Sequence, residues 1–205
     1  MESTTPNTVI RQQALDALKG QWGLAIGTML LYGLLNLIIA FIPFVSTIVS
    51  LVITGPFRLG TSMFSLSLSR GRDAKLEQIF QGFNNFGTAF LANLLMGIYV
   101  FLWMLLLIIP GIIAALSYSM TFFIIADDPT IKPGEAIDKS KAMMAGNKMK
   151  LFLMYLNFFL LSLACVLTLG IGYFWLIPFM QVTMAKFYDD VKGTPALTAA
   201  EVMDV

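Results

Sequence analysis

Arg58 has the clearest chemical potential in this sequence, because it is a lone cation inside a long apolar segment. It precedes Arg70 by 12 residues, a distance of about 18 Å along an α-helix. An arginine at the centre of a bilayer costs at least about 2.5–3.5 kcal/mol, so such residues usually face a bundle interior or water. Two interpretations stay open. Arg58 contacts an anion or a lipid headgroup in a cavity, or it is structural, bonded to carbonyls freed by Pro56 or extended toward the cytoplasm.

Three serines follow Arg58 along the same predicted helix. Ser62, Ser65 and Ser69 lie four, seven and eleven residues after it, which places all four side chains on one helical face. This spacing predicts a polar lining that leads from the cytoplasm toward Arg58. The alternative is helix packing, because small polar side chains let two helices approach closely in a membrane.

Four carboxylates, Asp127, Asp128, Asp189 and Asp190, lie at the ends of two apolar segments. If the segments form a ring, these side chains crowd one mouth and bind a divalent cation through oxygen ligands. The alternative is a set of ion pairs with nearby lysines at the membrane surface. Paired carboxylates are also the residues here that best fit acid–base catalysis.

The amino-acid composition indicates the class of protein to which these residues belong. Of the 205 residues, 58% are apolar and 12% are charged, which is too apolar for a soluble domain. The chain has no histidine and one cysteine, Cys165. A four-ligand Cys/His zinc site, a histidine-based catalytic triad and an intrachain disulfide are therefore excluded. With a net charge of +1, we expect no nucleic-acid partner, and we expect no cofactor.

The apolar segments come in three pairs, each joined by a short turn containing Pro or Gly, such as Pro110-Gly111. They predict helices at about 22–42 and 45–69, at 86–109 and 112–126, and at 151–169 and 173–188. Each is near the length that crosses a bilayer. An amphipathic helix precedes each pair. It lies in the headgroup layer, or it forms a cap that packs on the bundle.

The same unit occurs three times, because Gly20, Gly82 and Gly146 precede the three pairs at intervals of 62 and 64 residues. The repeat units cover about 8–73, 74–128 and 133–190 of a single integral membrane domain, 1–205, with flexible tails at 1–7 and 193–205. The sequence thus predicts an all-α, six-span transmembrane helical bundle built from three hairpin repeats, with cytoplasmic amphipathic helices.

Charge placement predicts the orientation of this bundle. Of the 13 basic residues, all except Arg58 lie in the tails, between the hairpins or, for Lys186, at the end of the last span next to the C-terminal tail, and the turns within the hairpins carry no charge. Basic residues concentrate on the cytoplasmic side of membrane proteins. Both termini are therefore expected in the cytoplasm.

Several short motifs are distinctive: Ile-Pro-Gly-Ile-Ile at 109–113, Ala-Asp-Asp-Pro at 126–129 and Thr-Leu-Gly-Ile-Gly at 168–172, with Trp175 and Pro178-Phe179 after them. They resemble those of a family of bacterial integral membrane proteins, the domain of unknown function nine-seven-five. The resemblance covers about 10–190. The chain is also distantly similar to the membrane domain fused to some glycerophosphodiester phosphodiesterases. The resemblance implies a bacterial inner-membrane protein with no established activity and no catalytic residues.

Three functions remain open at this point. The favoured one is a non-enzymatic membrane scaffold, or a protein that interacts with lipid or the cell envelope. Its partners would be membrane lipids and either another protein or a second copy of the chain. The second is a transporter or channel for small molecules or ions, with a polar path near Arg58. The third is an intramembrane enzyme that modifies lipids through the aspartates.

Overall fold

The computed structural model describes residues 5–40 and 45–193, without some of the side chains between 36 and 50. Regular structure in these ranges is helical throughout. The helices are α1 (Asn7–Leu18), α2 (Trp22–Ala40), α3 (Val45–Ser69), α4 (Gln78–Gln81), a 3₁₀ turn (Gly82–Asn85), α5 (Phe86–Leu106), α6 (Ile108–Ser117), α7 (Thr121–Asp127), α8 (Pro133–Met143), α9 (Lys148–Leu167) and α10 (Tyr173–Lys192). The turn predicted at Pro43 and most of both predicted tails lie outside the described residues.

Among the described residues, three segments are long and apolar enough to cross a membrane, judged by length and composition: Gln78–Leu106, Ile108–Asp127 and Lys148–Leu167. The described part of α2, Trp22–Leu35, is also apolar but shorter. Helices α3 and α10 have 25 and 20 residues, and they carry polar and charged side chains such as Arg58 and Gln181. The membrane character of the protein thus rests most directly on α5, on α6 with α7, and on α9.

The turn of the second hairpin lies earlier than predicted. Leu107 has an extended backbone (φ −164°, ψ 149°) and separates α5 from α6, whereas Pro110 and Gly111 are already helical. Proline is tolerated in the first turn of a helix, where its missing N–H has no intrahelical acceptor. The Pro-Gly pair therefore lies just inside the start of α6 and not in the turn.

The predicted helix at 112–126 is interrupted between α6 and α7. The break is stabilised by Ser140 of α8, whose hydroxyl donates to the carbonyl of Ser117 (2.8 Å) and accepts from the N–H of Met120 (3.2 Å). All three residues are buried. A buried side chain from another helix thus satisfies backbone groups that a continuous helix would pair within itself.

Helices α3, α7 and α10 form the centre of the molecule. Both α7 and α10 pack against α3, and the large side chains of Phe64, Ile124 and Phe187 are fully buried among them. By contrast, α5 and α9 expose long apolar surfaces that include Phe101 and Leu160. This distribution is typical of a bundle whose outer helices face an apolar solvent.

The short helices are a cap on this bundle, which was one of the two interpretations of their amphipathic pattern. Helix α1 packs on α10, α4 on α3, and α8 on α7. Their apolar residues Ile10, Ile79 and Ile137 are almost completely buried. Helices α4 and α8 thus each pack on the helix that precedes them in the chain, and α1 packs on α10.

Candidate functional site

Arg58 lines a cavity of about 1180 Å³ between α3, α5, the α6–α7 segment and α10. Ligand pockets typically have volumes of about 300–1,000 Å³, so this one is large. Its polar lining residues are Tyr32, Thr54, Arg58, Thr61, Ser62, Asn93, Tyr118, Ser119, Tyr155 and Gln181. The other lining side chains are aliphatic, aromatic or methionine. The cavity is therefore mostly apolar, with one fixed positive charge.

The guanidinium of Arg58 has no carboxylate partner among the described residues. Its central carbon lies 6.0 Å from the centre of the Phe122 ring, at the limit of a cation–π contact. The residue remains exposed although it lies well inside the length of α3. Its charge is thus available to a ligand in the cavity.

Close backbone contacts fix α3 against its neighbours on either side of Arg58. A Cβ atom added at Gly55 would overlap the backbone of Ala89 in α5, and one added at Gly60 would overlap the backbone of Ile79 in α4. Only glycine permits this approach. The face of α3 that carries Arg58 is thereby held at the cavity.

The serines predicted to lead toward Arg58 divide into two groups. Ser62 lines the cavity, and its hydroxyl donates to the carbonyl of Arg58 (2.9 Å). Ser65 and Ser69 are buried outside the cavity lining and donate to the carbonyls of Thr61 (2.7 Å) and Leu66 (3.3 Å). The serine face therefore meets the cavity at Ser62, and its remainder is packed.

The two ends of the cavity differ in exposure. Leu51, Phe101 and Met104 are exposed by 49%, 63% and 48%, and they lie on the side of the turns within the hairpins. Phe123 and Met184 lie at the opposite end of the cavity, on the side where α10 ends, and their exposed fractions are only 6% and 8%. The cavity thus opens through an apolar rim and is closed on the side of the termini.

A cluster of charged residues joins the ends of the three central helices on the closed side. Arg70 follows α3 and forms a two-bond pair with Asp127 of α7 (2.6 and 2.9 Å). It also donates to Asp189 of α10 (2.6 Å). Lys192 and the Tyr188 hydroxyl donate to Asp127 at 2.6 and 3.1 Å. We call these five residues the Arg70 cluster.

The electrostatics of the Arg70 cluster favour its charged form. Hydrogen bonding to Asp127, followed by the contacts with Asp189, raises the pKa of Arg70 above its usual value, against the opposing effect of burial. Arg70, Asp127 and Asp189 have side-chain exposures of 18%, 16% and 9%. Shielding from water strengthens such pairs and makes the loss of one partner costly.

The four aspartates predicted to crowd one mouth are distributed among different partners. Asp127 and Asp189 meet at Arg70. Asp190 pairs with Lys150 (2.8 Å) and accepts from Thr5, whereas Asp128 accepts from the Thr130 hydroxyl (2.6 Å). Hydrogen bonding from Thr130, chiefly from its hydroxyl, lowers the pKa of Asp128. Within the described ranges, no three His, Cys, Asp or Glu side chains are grouped as metal ligands.

Sequence reasoning identified Arg58 and Ser62 but missed other residues of the cavity. Thr54 and Thr61 lie four residues before and three residues after Arg58 in α3, so helical spacing alone was a sufficient signal for both. Tyr155 comes from α9, and no local pattern connects it with α3. The partners of the aspartates were also missed, because Arg70 and Lys192 are distant from Asp127 along the chain.

The chain belongs to the family described as "Protein of unknown function (DUF975)", whose model matches residues 1–115 and 104–194. The two matches together include every described helix. No curated protein and no solved structure is detectably similar to the chain.

Proposed function

We propose that this chain is a non-enzymatic, multi-pass protein of the bacterial inner membrane that binds membrane lipid inside its own helix bundle. The observation that carries this proposal is the large, mostly apolar cavity in which Arg58 lies without a carboxylate partner in the described part of the chain. A site that is apolar around one cation suits a molecule with an anionic group and a hydrocarbon portion.

The proposed topology has six spans and both termini in the cytoplasm. The chain order of α2 and α3, of α5 and α6–α7, and of α9 and α10 is the order that three hairpins require. In this topology the Arg70 cluster and the lysines and arginines in and around the cap helices lie on one side, in agreement with the concentration of Lys and Arg on cytoplasmic faces.

A carrier for small molecules is the second candidate, and the asymmetry of the cavity favours it. The cavity opens on the side of the hairpin turns and is closed on the side of the Arg70 cluster. Separation of the central helices at that cluster would open the other side, as alternating access requires. A carrier needs water in the cavity, whereas a lipid site does not.

Thiol labelling distinguishes these two functions. In a Cys165→Ala background, we expect Gly97→Cys, at an exposed position of the cavity lining, to resist a membrane-impermeant maleimide from both sides of the membrane, because lipid and apolar walls exclude the reagent. Arg72→Cys and Ile171→Cys, both at exposed positions, serve as matched controls. The first should react only in inverted vesicles and the second only in intact spheroplasts.

Labelling after denaturation confirms that each cysteine is reactive. Labelling of Gly97→Cys in the folded protein would contradict the lipid site and favour the carrier. Labelling of Arg72→Cys in intact spheroplasts would contradict the orientation.

A further inference from the structure

We propose that the cavity selects a phosphate-bearing amphiphile with a net negative headgroup, and that Arg58 contacts the phosphate. This inference rests on the proposed lipid-binding function and adds the headgroup class and its position. The headgroup lies at Arg58, in the middle of the bundle, and the hydrocarbon chain extends toward the rim formed by Leu51, Phe101 and Met104.

The positive charge of Arg58 is the feature of the cavity that most strongly indicates an anionic ligand. Arginine stays protonated under all conditions in which proteins fold, and a cation among apolar walls is costly unless it is paired. In the described part of the chain, every carboxylate of the Arg70 cluster is already bound to other cations. A ligand anion is therefore the natural counter-charge, and the planar guanidinium binds phosphate oxygens through two parallel hydrogen bonds.

Three other helices contribute neutral hydrogen-bonding groups to the cavity that Arg58 lines. They are Asn93 of α5, Tyr155 of α9 and Gln181 of α10. In the described part of the chain, these side chains form no intramolecular hydrogen bond. Amides and hydroxyls can donate to phosphate oxygens and to the hydroxyls of a headgroup. Together with Arg58, they belong to the polar lining of a mostly apolar cavity.

The rim of the cavity distinguishes a lipid from free phosphate. An anion from water would have to pass the exposed side chains of Leu51, Phe101 and Met104, which offer it no compensation for its lost hydration. A hydrocarbon chain gains free energy from contact with these same side chains. The positive charge of Arg58 thus suits the headgroup of an amphiphile, and the apolar rim suits its hydrocarbon chain.

Native mass spectrometry of the purified full chain tests this inference. Delipidated protein is titrated with phosphatidylglycerol or with phosphatidylcholine of identical acyl chains, and the occupancy of the first lipid is compared. Both lipids carry the phosphate, but the choline cation of phosphatidylcholine is repelled by Arg58, so we expect phosphatidylglycerol to bind at least about tenfold more tightly. Arg58→Gln should abolish this preference and Arg58→Lys should keep most of it. The surface variant Arg72→Gln should leave it unchanged.

A second arm adds inorganic phosphate at millimolar concentration to the protein loaded with phosphatidylglycerol. We expect no displacement. Displacement would keep the anion site but assign it to free phosphate, which would overturn the lipid source. Equal binding of the two lipids by the wild type, or a preference that survives in Arg58→Gln, would overturn the charge selection and leave the lipid-binding function standing. Failure of both lipids to bind would instead overturn that function. A monodisperse size-exclusion profile shows that each variant is folded.

Discussion

Arg70→Gln is expected to lower the free energy of unfolding by about 3–5 kcal/mol, the range measured when one partner of a buried ion pair is removed. The guanidinium contacts both Asp127 and Asp189, and it links the ends of α3, α7 and α10. Glutamine would leave the carboxylate of Asp189 shielded from water without its charged hydrogen-bond partner. Arg70→Lys should lose less stability, because a lysine retains the charge but cannot form the two-bond pair.

Steric trapping in bicelles measures this unfolding free energy. Lys75→Gln is the matched control, because the Lys75–Asp73 pair (3.0 Å) has side-chain exposures of 64% and 79% and exposed pairs add little stability. We expect no measurable change from it. The double variant Arg70→Gln with Asp189→Asn should recover part of the loss by removing the unpaired charge. Wild-type stability in Arg70→Gln would show that the cluster does not hold the central helices together.

Gly60→Ala is expected to destabilise the protein by about 3 kcal/mol, at the upper end of the range for overpacking. The added Cβ would overlap the carbonyl and Cα of Ile79, and backbone cannot rotate away as a flexible side chain does. In the 3₁₀ turn directly after α4, a Cβ at Gly82 would overlap the backbone of Pro56 and Gly60. The two glycines thus form one contact, and α3 and α4 must separate to accept either methyl group.

Gly87→Ala is the matched control, and we expect it not to lower the stability of the protein. Its added Cβ meets no atom within 4 Å, so alanine should leave the stability unchanged or raise it by up to about 1 kcal/mol through its higher helix propensity. Both variants are compared by thermal unfolding in detergent. A Gly60→Ala variant as stable as Gly87→Ala would contradict the close contact between α3 and α4.

Local patterns in the sequence were sufficient to predict most of the long helices. The prediction for 45–69 coincides with α3, because apolar residues bounded by polar loops define such a helix. The presence of one cation within this apolar segment was also sufficient to identify Arg58 as a candidate site residue. The turn at Leu107 was not predictable in this way, since Pro110-Gly111 is an equally good signal for the start of a helix as for a turn.

The contacts between distant parts of the chain were beyond sequence reasoning. The pattern of α8 showed that Ile137 lies on an apolar face, but an apolar face does not specify whether it packs on lipid or on α7. The ends of the apolar segments were expected to crowd together if they formed a ring. Their pairing with Arg70 could not be predicted, because many lysines and arginines share that side of the molecule. Ser65 and Ser69 fit a polar path and helix packing equally well by spacing alone.

The most direct test of the account is the number of phospholipids that each protein molecule retains after extraction in mild detergent. Native mass spectrometry counts them in the wild type, in Gly97→Phe and in Gly87→Phe. Gly97 lines the cavity, and Gly87 lies in the same helix outside its lining. A Cβ at either position meets no atom within 4 Å, so both variants should fold. We predict that the wild type and Gly87→Phe retain one phospholipid and that Gly97→Phe, whose ring occupies the cavity, loses it. Equal retention in all three proteins, or no retained lipid in the wild type, would contradict the account.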